Sequence, residues 1–304
     1  MKCVDSSTCC ASCGVAESDD IKLKPCDGCD LVRYCSDACK EDHRSEHETK
    51  CKKRAAELRD ELLFRQPGST LRGDCPICCL PIPPDTSRSS LSPCCSKMIC
   101  NGCSYASQVF QERVSPTCPF CRHPAAESNE EITKCIMKRV EANDPVAMRQ
   151  MGFKHLNEGE YDHAFRYWTK AAELGDADAH FLLSSFYDGG KGVEKDETKK
   201  LYHLEEGAIR GQLDARCNLG ALEWNNNRNY ERAVKHWMIS ATQGHDPSIK
   251  ALKETFKQGF LEKEVLAAAL RAHYTAVDAT KSEQREAGEK FMLTQTDSWI
   301  RWTV

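Results

Sequence analysis

Two stretches of the carboxy-terminal half, YDHAFRYWTKAAELG at residues 161–175 and YERAVKHWMISATQG at residues 230–244, share one pattern. A tyrosine, an alanine, a tryptophan and a second alanine recur at the same positions, so that Trp168 matches Trp237. Residues three and four positions apart lie on one face of a helix. The pattern predicts a repeated helix whose tryptophan packs in the core and does not stack on a ligand.

The segments that precede these helices also repeat. NDPVAMRQMG, GDADAHFLLS, GQLDARCNLG and GHDPSIKALK begin at residues 143, 175, 211 and 244, which gives offsets of 32, 36 and 33 residues. Such a period is typical of helix pairs stacked into a solenoid. Gly175, Gly211 and Gly244 suit helix carboxyl caps. The glycine-rich YDGGKGVEKD at residues 187–196 predicts an inter-helix loop. These residues resemble the Sel-1-like repeat, a relative of the tetratricopeptide repeat, and we expect the repeats to span residues 144–280.

Three further segments complete the predicted helical organisation. Residues 54–73 are predicted as an amphipathic helical linker that ends at Pro67 and Gly68. Residues 125–143 are predicted as a linker helix with a capping box at Ser128, and its apolar face should dock on the first repeat. Residues 281–304 are expected to form a tail or a capping helix.

The front of the chain is dominated by cysteine. Eighteen of the 20 cysteines lie before residue 122. No stretch resembles a leader peptide or a membrane span, so we expect a reducing compartment, the cytoplasm or the nucleus, and no membrane partner. Thiols stay reduced there, and dense cysteine pairs favour metal ligation over disulfides. The net charge is −4 and no basic stripe is present, so no nucleic-acid partner is expected.

The first cluster, within residues 1–53, offers four ligand pairs in about forty residues, which is enough for two tetrahedral zinc sites. The stretch CASCGVAESDDIKLKPCDGCDLVRYCSDACKEDHRSEHETKC at residues 10–51 resembles a MYND-type zinc finger. In that family the pairs interleave. The resemblance implies one zinc on Cys10, Cys13, Cys35 and Cys39 and another on Cys26, Cys29, His47 and Cys51. Cys9 remains an alternative to Cys10, and His43 remains an alternative to His47.

The second cluster, within residues 74–124, also offers four ligand pairs, enough for two more zinc sites. CPIC at residues 75–78, SPCCSKMICNGC at residues 92–103 and CPFCR at residues 118–122 resemble a RING-type zinc finger. The resemblance implies a cross-brace, with one zinc on Cys75, Cys78, Cys100 and Cys103 and the other on Cys94, Cys95, Cys118 and Cys121. Cys79 and His123 remain alternatives for the second of these sites. Four zinc ions are therefore expected. Since such short modules bury little apolar surface, chelators should unfold residues 1–123 and leave the rest folded.

The resemblances imply a function. A RING-type domain positions a ubiquitin-charged conjugating enzyme without forming a covalent intermediate. By resemblance, Ile77 and Pro119 would form the groove for that enzyme, and Arg122 would hydrogen-bond both the enzyme and ubiquitin. The main hypothesis is thus a ubiquitin ligase that recruits protein clients through its repeats and its MYND-type finger. The alternative is a non-catalytic adaptor. Lysine methyltransferase activity, known for some MYND proteins, is disfavoured because no segment resembles their catalytic domain.

The predicted fold class is two small zinc-stabilised modules, MYND-like and RING-like, followed by an all-α helical-repeat solenoid.

Overall fold

The computed structural model describes residues 8–111 and 117–294. The chain divides into two compact units, Met1–Arg65 and Gln66–Val304. The first unit holds the first cysteine cluster. The second unit holds the second cysteine cluster together with the helical repeats, so these two parts form one folded body.

The first unit is built from short elements. Strands β1 (Lys24–Pro25) and β2 (Arg33–Tyr34) pair antiparallel, and helices α1 (Asp37–Asp42) and α2 (Arg44–Leu63) follow. The Ser36 side chain caps α1 by accepting a hydrogen bond from the Cys39 N–H at 3.2 Å. A small core of buried Cys10, Leu23 and Tyr34 lies beneath them.

Helix α2 starts and ends earlier than the predicted linker at residues 54–73. It begins at Arg44, inside the first cysteine cluster, and ends at Leu63. The early start places His47 and Cys51 on one helix face, since residues four apart share a face. Pro67 disfavours helical backbone at Gln66, which excludes a longer helix, although α2 ends three residues before Gln66.

The second cysteine module opens the second unit. A 3₁₀ turn (Thr86–Arg88) leads into an antiparallel hairpin of β3 (Ser89–Ser92) and β4 (Lys97–Cys100), and helix α3 (Asn101–Gln111) follows. Ser92 pairs with Lys97, so residues 93–96 form the hairpin loop. This loop carries the adjacent cysteines Cys94 and Cys95. It closes through Ser96, which has φ of 54° and donates its N–H to the Ser92 carbonyl at 2.8 Å.

The rest of the second unit is helical. Its helices are α4 (Asn129–Glu141), α5 (Pro145–Asn157), α6 (Tyr161–Glu173), α7 (Ala177–Gly189), α8 (Glu197–Ile209), α9 (Leu213–Asn225), α10 (Tyr230–Ala241), α11 (Asp246–Lys257), α12 (Lys263–Ala279) and α13 (Glu283–Thr294). Helices α5 and α6, α7 and α8, and α9 and α10 pack as pairs, and each pair packs on the next. Helix α4 packs on α5 through Ile136, which lies against Ala147 and Met151. This is the predicted helical-repeat architecture.

A glycine and a tryptophan interlock in two of the pairs. Trp168 is fully buried, and its indole N–H donates to the Arg149 carbonyl at 3.1 Å. The ring lies so close to α5 that a Cβ on Gly152 would be 2.1 Å from Trp168 Nε1. Trp237 and Gly220 repeat the arrangement at 2.5 Å. The predicted core role of both tryptophans is confirmed.

The predicted carboxyl-cap glycines are also confirmed. Gly175, Gly211 and Gly244 have φ of 90°, 93° and 85°, in the left-handed region that favours glycine.

The predicted capping helix is present in part. Helix α13 packs on α3 of the second cysteine module. The predicted tail beyond it, residues 295–304, lies outside the described residues.

None of the helices in the described ranges has the length and apolar character needed to cross a membrane.

Candidate metal centres

The first donor set contains Cys10, Cys13, Cys35 and Cys39, whose sulfur atoms all lie within 4.8 Å of one another. The Cys13 and Cys39 sulfurs each lie 3.6 Å from that of Cys35. Cys10 joins this set and Cys9 does not. Burial raises the pKa of the Cys10 thiol, but backbone N–H groups outweigh this effect and lower it to about 6. This pKa favours the metal-binding thiolate at Cys10, whereas hydrogen bonds with Cys13, Cys10 and Cys39 raise the pKa of Cys35 to about 12.

The second donor set contains Cys26, Cys29, His47 and Cys51. The Cys26 and Cys51 sulfurs lie 3.6 Å apart, and His47 Nε2 lies 3.2 Å from the Cys29 sulfur. Helix α2 supplies both His47 and Cys51 from one face. His43 points elsewhere, because its Nδ1 lies 3.1 Å from the Tyr34 hydroxyl. The structure thus places His47, and not its alternative, among the donors.

The third donor set contains Cys75, Cys78, Cys100 and Cys103. The Cys78 and Cys100 sulfurs lie 3.8 Å apart, and the Cys103 N–H donates to the Cys100 sulfur at 3.4 Å. Strand β4 ends at Cys100 and α3 presents Cys103 one turn later. Burial raises the pKa of the Cys78 thiol, but a hydrogen bond from Arg285 contributes to lowering it to about 7.

The fourth donor set contains Cys94, Cys95, Cys118 and Cys121. The sulfurs of Cys95 and Cys118 lie 3.7 Å apart, and those of Cys94 and Cys121 lie 3.3 Å apart. The hairpin loop lets both adjacent cysteines face the same point.

The alternatives for the fourth set lie outside all four sets. Cys79 is exposed, and Nδ1 of His123 lies 2.9 Å from the Pro124 carbonyl oxygen. Cys135 and Cys217, on α4 and α9, also lie outside the sets.

Three of the Cys-x-x-Cys pairs share one backbone turn that was not predicted. The residue after each second cysteine, Gly14, Cys79 or Arg122, has φ between 56° and 75°. Its N–H donates to the carbonyl of the first cysteine at 2.7–3.0 Å. The N–H of each first cysteine in turn donates to the carbonyl of Val15, Leu80 or His123. The turn aims both sulfurs at one point, and it explains the left-handed backbone of Arg122.

The four sets fit structural zinc. Each offers four protein donors of thiolate or imidazole type, which suits a tetrahedral ion and leaves no open coordination position. The first and third pairs of each module meet in one set, and the second and fourth pairs meet in the other. This interleaving ties distant parts of each short module together.

A fifth cluster was not predicted from the sequence. His155, Glu160 and His163 bring three possible ligand atoms within 4.8 Å of one another at the turn between α5 and α6. His155 Nδ1 lies 2.6 Å from the Glu160 carboxylate, and its ring stacks on Tyr167 at 5.3 Å. The turn, and not a single helix, brings these residues together, so no ligand spacing within one helix signals the cluster.

The residues predicted to contact a conjugating enzyme, Ile77, Pro119 and Arg122, are all exposed.

We expect Cys95→Ser to lower the zinc content of the purified protein by one ion, because the fourth set would keep only three thiolates. Cys79→Ser is the matched control, since Cys79 neighbours a ligand but belongs to no set. Native mass spectrometry of both variants measures the stoichiometry. Full zinc in Cys95→Ser would contradict the assignment of Cys95.

The fold and the donor sets define a chain in which cysteine-rich metal modules precede a helical-repeat region. The sequence model of the MYND finger matches residues 10–51, which contain the first two donor sets. This match does not extend to the second cysteine module. The MYND finger and the cysteine clusters together indicate zinc binding.

Two solved structures are similar to the helical part. A Sel1 repeat protein from Oxalobacter formigenes is 20% identical, with a TM-score of 0.45, and the alignment covers 65% of this chain and 86% of that one. A protective antigen of uropathogenic Escherichia coli strains that displays an SLR fold is 20% identical, with a TM-score of 0.39. That alignment covers 66% of this chain and 42% of the antigen, so this chain spans less than half of its length. A search of curated proteins finds no match.

Proposed function

We propose that this chain is a protein–protein interaction adaptor whose two cysteine-rich modules are each held by two structural zinc ions, four in total. The main support for this proposal is that each of the four donor sets supplies all four ligands of a tetrahedral ion. Zinc bound in this way has no free position for a substrate, so its role is to hold the fold. The MYND match and the helical repeats support protein binding as the activity of the chain.

The repeats offer side chains suited to a protein partner. Leu201 and Tyr202 are neighbours on α8, and both are exposed, at 43% and 52%. Tyr274 on α12 is 61% exposed. Tyrosine supplies large contact area at small entropic cost and is enriched in protein interfaces. Protein clients are therefore the partners that this surface fits.

A second candidate function is ubiquitin ligation. Two observations favour it: the interleaved pairing of the third and fourth donor sets, and the exposure of Ile77, Pro119 and Arg122. A ligase would use these residues to position a ubiquitin-charged conjugating enzyme, and ubiquitin and that enzyme would then be partners. The left-handed turn gives position 122 a structural role that is independent of its side chain. Left-handed backbone favours glycine, so the turn alone does not account for an arginine at this position.

Ubiquitin-chain formation separates the two functions. We expect the zinc-loaded full chain to form no chains with a panel of conjugating enzymes, while circular dichroism and zinc analysis show that it is folded. Chains that form with the wild type and disappear in both Ile77→Ala and Arg122→Lys would establish the ligase and overturn the purely adaptor function. Lysine is used at position 122 because it keeps the charge but loses the planar guanidinium. Arg271→Lys, an exposed arginine on α12, is the matched control.

A further inference from the structure

Helix α13 inserts a buried arginine into the second cysteine module. Arg285 is only 2% exposed. Its Nη2 donates to the Cys78 sulfur at 3.3 Å and to the Leu80 carbonyl at 2.9 Å. Its Nη1 donates to the carbonyls of Pro81 and Thr280 at 2.7 and 2.8 Å. One guanidinium thus joins a donor of the third set, the turn that carries this donor and the carboxyl end of α12.

The backbones of α13 and α3 approach so closely that only glycine fits at the crossing. A Cβ on Gly102 would lie 2.7 Å from the Arg285 Cα, and a Cβ on Gly288 would lie 2.7 Å from the Asn101 carbonyl oxygen. Real Cβ contacts are not this short, so both positions exclude larger residues. The close crossing fixes the depth at which Arg285 enters the module.

Contacts further along α13 hold its orientation. The rings of Tyr105 and Phe291 lie 4.8 Å apart. Arg88 Nε donates to the Glu289 carboxylate at 2.6 Å. Gln284, next to Arg285, donates to the Gly102 carbonyl at 3.3 Å and to the Cys103 sulfur at 3.9 Å. The ring contact and the ion pair dock the helix on the module without using a sulfur of the third set, and they provide a way to separate docking from contact with the metal site.

We propose that Arg285 is an outer-sphere group of the metal in the third set, and that metal binding and docking of α13 stabilise each other. Four thiolates around one Zn²⁺ leave a net charge of about −2, which the buried guanidinium partly neutralises. Without metal the four sulfurs are no longer held together, and the buried guanidinium loses the fixed sulfur partner that it has at Cys78. Coupling between two binding events is reciprocal, so weakening either one weakens the other. This inference presupposes the zinc proposed above for the third set.

Zinc release from the full-length, zinc-loaded protein to a colorimetric chelator tests the coupling. In Arg285→Met we expect one zinc equivalent to leave about 10- to 100-fold faster than in the wild type, matching the range by which loss of an outer-sphere partner lowers metal affinity. Cys78→Ser identifies that equivalent, because it removes a donor of the third set. Glu289→Gln is the matched control: it breaks the ion pair with Arg88 but touches no sulfur, so its release should follow the wild type.

Two outcomes of this assay would overturn the proposal. One is release from Arg285→Met at the wild-type rate. The other is equal acceleration in Glu289→Gln, which would mean that helix docking alone is responsible. In either case the proposed function stands if zinc analysis still finds metal in the third set. If that zinc is absent from the wild type, both proposals are refuted.

Two further measurements remain informative if Arg285→Met folds poorly. Arg285→Lys keeps the positive charge but loses the paired N–H donors of the guanidinium. In Co²⁺-substituted protein we expect this variant to shift the thiolate-to-metal charge-transfer band of one site. In the wild type, withdrawal of zinc should raise hydrogen exchange across residues 283–291. An unshifted cobalt spectrum, or unchanged protection after verified metal removal, would contradict the coupling.

Discussion

Exhaustive chelation of zinc is expected to unfold the cysteine modules and also to lower the melting temperature of the repeats. A module of about forty residues buries too little apolar surface to fold alone, and a structural zinc contributes on the order of 10 kcal/mol. The sequence analysis expected residues beyond 123 to stay intact. The structure changes that expectation, because the second cysteine module and the repeats form one compact unit.

The contacts that carry this effect lie at the amino-terminal ends of repeat helices. Arg72 lies 3.8 Å from Asp178 of α7, and both side chains are about nine-tenths buried. Burial raises the pKa of Asp144, which caps α5, but hydrogen bonds from Ser96 and Arg139 bring it below its usual value. Asp178 also lies 3.4 Å from Arg149, so the loss of Arg72 costs less than the about 3–5 kcal/mol of a buried charge left without any partner. We therefore expect the melting temperature of the repeats to fall by a few degrees.

Circular dichroism at 222 nm, recorded on heating with and without chelator, measures this loss. Cys75→Ser removes a donor of the third set alone and should reproduce the shift in the repeats without any chelator. Re-addition of zinc should restore the wild-type melting temperature after chelation. An unchanged melting temperature of the repeats, in protein shown by metal analysis to be zinc-free, would contradict the coupling between module and solenoid.

Gly152→Ala is expected to destabilise the second unit by about 3 kcal/mol, towards the upper end of overpacking costs. Alanine gains about 1 kcal/mol of helix propensity over glycine, but the clash with Trp168 outweighs this gain. The ring has little room to move, because it is fully buried and its N–H is bonded to the Arg149 carbonyl. Urea unfolding followed by tryptophan fluorescence measures the change.

Substitutions at two other glycines serve as references for the effect of Gly152→Ala. Gly220→Ala meets Trp237 at 2.5 Å and should behave like Gly152→Ala. Gly189→Ala, at the end of α7, meets only the Lys191 side chain at 3.7 Å and should be close to neutral. If the alanine at position 152 is tolerated as well as the one at position 189, the interlock contributes little to stability.

The sequence alone predicts those features of the fold that depend on local periodicity. Tryptophans and alanines at helical spacing reveal the repeats, because each pair buries the same face. The pairing of the cysteine donors came instead from family resemblance, and the structure gathers the same sixteen residues into four sets.

Contacts between distant segments could not be predicted in this way. Arg285 and Cys78 are 207 residues apart, and nothing in the neighbourhood of either one signals the other. Gly102 and Gly288 look like ordinary glycines until the crossing of α3 and α13 is seen. His155 and His163 meet across a turn whose geometry depends on packing. The sequence therefore indicates the parts of the second unit, but not how its final helix joins its first module.

The position of Arg285 also bears on the order of events during synthesis. The last cysteine of the second module, Cys121, is polymerised 164 residues before Arg285. At about 5–20 residues per second, that interval lasts on the order of 10–30 s. During this time the nascent module has its thiols but lacks the guanidinium that contacts Cys78, and the α3 surface at Gly102 is uncovered. Under the proposed coupling, the third set reaches its full affinity for metal only when α13 has left the ribosome.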